Sequence, residues 1–96
     1  MPLAFEWDRQ KARSNLAKHG VDFETATLVF EDPFCIAFAD SIKDGETRWH
    51  AIGMVGTVSV LVVVHTHGME GFDEVIRIIS CRRALKRERK LYEEGR

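Results

Sequence analysis

Ninety-six residues, 45% apolar and 30% charged, suit one soluble domain around one compact core. The longest apolar run, VSVLVVV, falls far short of the ~20 residues a membrane helix needs, so no membrane partner is expected. Net charge is only −1, which argues against generic nucleic-acid binding. The distribution is lopsided, however: residues 1–76 carry six Lys/Arg against twelve Asp/Glu, and residues 77–96 carry eight against three. That asymmetry suggests an anionic partner, or an acidic protein, for the basic end.

The opening LAFEW reads as a short strand. Asp8 is a natural N-cap for a helix to about His19, where Gly20 can adopt the left-handed conformation that stops it. Ala12, Leu16 and His19 share one helix face, with Lys11, Asn15 and Lys18 in a stripe beside it. Asp22 caps a second helix with an apolar stripe of Phe23, Ala26 and Phe30, closed by Asp32-Pro33. Strands follow: FCIAFAD, ETRWHAIGMV, TVSVLVVVHT and DEVIRIISC. The apolar continuity of the third suggests a central strand covered on both faces, and KDG and VG suit antiparallel hairpins. A final helix spans about Arg83 to Glu94. The order β-α-α-β-β-β-β-α predicts an α+β domain, residues 1–96, with helices against an antiparallel sheet.

Period-two alternation puts Arg77 on one face with Ile79 and Cys81, and Ile76, Ile78 and Ser80 on the other. Arg82 and Arg83 fall where strand meets helix, where free backbone N–H groups welcome phosphate and arginine's planar fork suits its oxygens. Lys86, Arg87 and Lys90 look like solvated surface. Glu88 lies in the helix's apolar stripe and needs a positive partner, the preceding arginines being nearest. His65 and His67 share a strand face but lack a third ligand for zinc. His19 and His50 are candidate proton carriers. Cys35 and Cys81 are too few for a disulfide framework and read as buried thiols in a reducing compartment. The start lacks a basic n-region followed by an apolar stretch, so a cytoplasmic location is expected.

The segments FEWDRQKARSNLAKHGVDFETATLVFED, ETRWHAIG and VIRIISCRRALKRERKLYE, in that order, resemble the BrnT family of bacterial type II toxins. The joint pattern F-x-W-D, K-H-G-V, R-W-x-x-x-G and R-I-I-S-x-R-R-A carries the resemblance. Cys81 stands where alanine is common, and Leu85 where a small polar residue is common. The resemblance implies a RelE-like fold and a ribonuclease that inhibits translation and growth. It also implies a BrnA-type antitoxin, a ribbon-helix-helix dimer through which alone operator DNA would be met.

A metal-independent ribonuclease makes the RNA 2′-hydroxyl attack the adjacent phosphate, and fixed cations stabilise the charge that gathers there. Arg77, Arg82 and Arg83 match the family's basic segment and are expected in that role, with Arg48 as a second-line contributor. His50, His19, Lys11 and Tyr92 are candidates for proton transfer. Lys11, Lys18, His19 and Tyr92 are the expected RNA contacts, and Glu88 is expected to orient an arginine. No cofactor or metal is expected. A competing reading is a catalytically silent module that serves only as co-repressor partner of the antitoxin, its basic surface docking acidic side chains.

Overall fold

The computed structural model describes residues 3–95, in the order β1 (Leu3–Glu6), α1 (Arg9–His19), α2 (Phe23–Thr27), a 3₁₀ turn (Leu28–Glu31), β2 (Ile36–Lys43), β3 (Glu46–Val55), β4 (Ser59–Glu70), β5 (Asp73–Arg83) and α3 (Lys86–Glu94). The strands form one sheet in the order β1-β5-β4-β3-β2. β2 to β5 run antiparallel, joined by short turns. The expectation of a wholly antiparallel sheet needs one correction, because β1 lies parallel to β5. These are the first and last strands in the chain, and a parallel pair requires the long connection the intervening residues supply.

The hairpins follow from turn chemistry. Asp44 and Gly45, with φ of 53° and 75°, close β2 onto β3. Such a two-residue turn needs positive φ at both positions, and Asp-Gly tolerates it. HGMEGF, left between the expected strands TVSVLVVVHT and DEVIRIISC, is mostly strand as well. Glu70 pairs with Asp73, so the turn is only Gly71-Phe72, with glycine supplying φ of 64°.

β4 is the central strand, and its valines pack on both faces. Leu61 and Val63 meet Phe23, Ala26 and Val29 from α2 and the 3₁₀ turn. Val60 and Val62 meet Ile52 and Tyr92, the latter from α3. After Thr27 the helix tightens to 3₁₀, so Val29 rather than Phe30 joins Phe23 and Ala26 at full burial. This turn lies directly on β3: a Cβ at Gly53 would stand 2.9 Å from the Val29 side chain and from its carbonyl oxygen. Asp32, just beyond, accepts the N–H of Met54 at 2.7 Å and of Phe34 at 2.9 Å, and the hydroxyl of Tyr92 at 2.5 Å. One carboxylate thus ties the loop, β3 and α3 together.

α1 departs from its expected packing. Leu16 is half exposed, and the buried residue is Asn15. Its amide donates to the carbonyls of Cys81 (2.8 Å) and Val21 (3.0 Å) and accepts the N–H of Cys81 (3.1 Å). β1 pairs with β5 only as far as Arg77, so Asn15 satisfies the strand edge that β1 leaves open.

Candidate active site on the sheet face beside α3

Side chains directly opposite in paired strands share a face. One rung runs Ile36, Ile52, Val62, Arg82, and the next runs Phe38, His50, Val64, Ser80. α3 covers the first rung through Tyr92. The second lies beyond that cluster and is polar at His50 and Ser80. Arg48 stands on the same face, two residues before His50, and Arg77 stands opposite Thr66, two residues beyond Val64. Four of the expected cationic or proton-carrying side chains, Arg48, His50, Arg77 and Arg82, are therefore on one face.

Two expectations about β5 are corrected by this register. Val64 pairs with Ser80 and His65 with Ile78, so Ile79 is an extra, bulged residue. A bulge restarts the alternation. Arg77 consequently shares its face with Ser80 and Arg82, while Ile76, Ile78 and Cys81 all enter the core. The strand also continues through Arg83, and α3 begins only at Lys86. Consecutive strand residues point to opposite faces, so Arg83, opposite Leu61, lies on the α1–α2 side beside Gly20, Asp22 and Thr25. Arg82 and Arg83 do not form one anion site.

The start of α3 is filled from within the chain. Glu88 is buried, accepts the Leu85 N–H at 2.8 Å, and grips Arg82 in a two-pronged fork, Nη1–Oε1 at 2.7 Å and Nη2–Oε2 at 2.9 Å. The expectation that Glu88 takes an arginine partner holds in this geometry. The Arg82 hydrogen bonds pull the Glu88 carboxyl from its ordinary 4.5 down to about 2, against the opposing effect of burial; the Leu85 N–H and the charges of Arg82 and His50 add to the lowering. Since the folded value lies below the unfolded one, the stabilisation is complete above about pH 5 and is lost as pH falls toward 2. It should amount to about 3 kcal/mol. Denaturant midpoints from pH 6 to pH 2.5 should fall steeply for the native chain and less so for Glu88→Gln; parallel curves would refute the assignment.

Arg77 is also paired, with Glu46 at 2.7 Å, and both side chains are about half exposed, so the bridge adds little stability. His50 is mostly enclosed. Its Nε2 lies 3.4 Å from Asp40 Oδ2, and its ring meets Phe38 at 5.7 Å. Asp40 is the extra residue of a second bulge, in β2, which aims it at the imidazole. Arg48 Nε is buried and unpartnered within the described residues.

The remaining candidates lie elsewhere. Tyr92, expected as an RNA contact and proton carrier, is 1% exposed and hydrogen-bonded to Asp32, which makes it a core residue. Lys11, Lys18 and His19 stand on α1 along a groove against Ile79 and Ser80. His65 is buried edge-on against Phe30, and burial pushes it below its ordinary value, so it stays neutral at pH 7. Burial likewise pushes the Cys81 thiol up to about 12 and the Cys35 thiol up to about 11. Among the described residues no three His, Cys, Asp or Glu side chains converge in metal-binding geometry, and no helix is long and apolar enough to cross a membrane.

Three participants were not legible beforehand: Asn15, Asp32 and Asp40. Asn15 carried a signal, since asparagine is a poor interior helix residue unless its amide has work to do. Asp32 read only as a helix stop, and Asp40 becomes visible only with the bulge.

A five-stranded sheet with α1 and α2 on one face and the C-terminal helix bordering the other defines a small α+β domain. The sequence matches, over residues 7–88, the family described as the ribonuclease toxin, BrnT, of type II toxin–antitoxin systems. The crystal structure of the Brucella abortus ribonuclease toxin, BrnT, is similar: TM-score 0.60 and 30% identity, over 90% of this chain and all of that one. No curated protein matches the chain in sequence. The chain belongs to the BrnT family.

Proposed function

We propose that the protein cleaves RNA on the sheet face beside α3, without a metal ion, and thereby inhibits translation and growth. The observation that carries this reading is the gathering of Arg48, His50 and Arg82 on one face of a BrnT-family chain. The 2′-hydroxyl gives its proton to a base and attacks the adjacent phosphorus. The 5′-oxygen leaves with a proton from an acid, and a 2′,3′-cyclic phosphate remains. Arg48 and Arg82 stabilise the non-bridging oxygens. His50, held by Asp40, is the proton carrier on this face, and such a group contributes about 10²–10⁴-fold. Arg77 completes the cationic face once Glu46 releases it. The antitoxin is a BrnA-type ribbon-helix-helix protein, through which the complex meets operator DNA.

Expression without antitoxin should arrest growth and stop amino-acid incorporation before replication fails, and the purified protein should cleave RNA in the presence of chelator. Cleavage lost in chelator and restored by zinc would overturn the arginine-based mechanism. A second reading has one observation in its favour: Arg77 and Arg82 are both neutralised by carboxylates. In that reading the chain is a silent co-repressor partner of the antitoxin. RNA would then survive prolonged incubation with soluble, folded protein, and growth would continue.

A further inference from the structure

α1 is cationic along its whole length. It holds Arg9, Lys11, Arg13 and Lys18, four of the six Lys/Arg among residues 1–76, and no acidic residue. Between this helix and the bulged segment of β5 lies a groove of about 210 Å³, lined by Lys11, Ser14, Asn15, Lys18, His19 and the Ile79–Ser80 pair. No carboxylate lines it. Among the described residues no salt bridge involves Lys11, Lys18 or His19, whereas Arg77 and Arg82 are held by Glu46 and Glu88. The nearest acids in sequence, Asp8 and Asp22, are both helix caps: Asp8 accepts the amides of Gln10 and Lys11, and Asp22 accepts that of Thr25.

The groove is tied to β5 and borders the sheet face at Ser80. Asn15 fixes α1 to β5 through the Cys81 backbone. Ser80, one wall of the groove, also ends the rung that carries His50. Neighbouring strands stand ~4.8 Å apart, so the groove opens roughly 10 Å from that histidine's strand.

We propose that the cleft between α1 and the β5 bulge is a phosphodiester-binding subsite that takes a single RNA strand on its way to the sheet face. The proposal rests on the ribonuclease reading for its substrate. Cations held in no salt bridge, in a narrow groove, suit one sugar–phosphate chain, since proteins that follow single strands use a positive groove along the backbone. An A-form duplex would be read instead across its wide minor groove.

The test uses a dodecamer of uncleavable 2′-O-methyl RNA, single-stranded or as a duplex, followed by fluorescence anisotropy. Lys11→Ala/Lys18→Ala should weaken single-strand binding at least about tenfold. It should also flatten the slope of log K against log salt by about 1.4, from two phosphate contacts at about 0.7 each. Lys86→Ala/Lys90→Ala removes the same charge from α3 and should stay within about threefold of the native chain. The native chain should bind the duplex at least about tenfold more weakly than the single strand. Equal losses for the two double variants, an unchanged slope for the α1 pair, or a duplex bound as tightly as the strand would each overturn the proposal. Because the probe is uncleavable, a native chain that binds through Lys11 and Lys18 yet never cuts ordinary RNA would refute the enzyme reading and leave this subsite standing.

Discussion

Arg82→Ala should lower RNA cleavage by about 10²–10³-fold, the usual cost of losing one fixed donor to a developing oxyanion, while Arg83→Ala should stay within a few-fold of the native chain. Neighbouring arginines differ this much because β5 has not ended. Arg82 stands opposite Val62 on the face of His50 and Arg48, and Arg83 stands opposite Leu61 on the α1–α2 face. Arg82→Ala also leaves Glu88 buried without its fork. Breaking such a pair costs about 3–5 kcal/mol when fully buried and less here, because the Arg82 side chain keeps 26% of its exposure. Cleavage must therefore be compared at a temperature where circular dichroism reports both variants folded. Glu88→Gln separates the roles. A carboxyl held at about 2 is too weak a base at neutral pH to take the 2′-hydroxyl proton, so this variant should keep cleavage within about tenfold. Native cleavage by folded Arg82→Ala, or an equal loss in Arg83→Ala, would remove the arginine from the mechanism.

Much of the architecture was legible because it rests on local chemistry. Asp8 and Asp22 cap helices, Gly20 ends one with φ of 73°, and Asp44-Gly45 closes a hairpin. The unbroken apolar run of β4 reads as a strand covered on both faces, and the structure buries it on both. What could not be read depends on pairing between distant segments. The Ile79 bulge exists only relative to the register of β4, and without it alternation assigns Arg77 to the wrong face. The end of β5 was misplaced because Arg82 and Arg83 suit a helix start as well as a strand. That two-residue error turned two opposite-facing arginines into one apparent anion site. Tyr92 is expected as an RNA contact and proton carrier because nothing in its local sequence shows what its hydroxyl meets. Its partner, Asp32, lies sixty residues away in sequence.

The same kind of distant partner underlies the largest stability effect expected. Asn15→Ala should destabilise the fold by about 3–5 kcal/mol, roughly a fifth or more of the stability of a typical domain. The native amide makes three hydrogen bonds in a buried setting, two to the Cys81 backbone and one to the Val21 carbonyl. Alanine removes all three and leaves an N–H and two carbonyls without partners, each costing about 1–3 kcal/mol, with water relieving part of the sum. Asn15→Asp tests the geometry more sharply. It keeps the acceptor for the Cys81 N–H but turns a carboxylate toward two carbonyl oxygens, so it should be no more stable than alanine at pH 7 despite its matching shape. Chemical denaturation of the three chains measures this directly. A loss below about 1 kcal/mol in Asn15→Ala, or an Asn15→Asp midpoint near the native one, would mean that the edge of β5 beyond Arg77 is satisfied by something other than this side chain. The same hydrogen bonds tie α1 to β5, and so set where the cations of α1 stand relative to the bulge at Ile79.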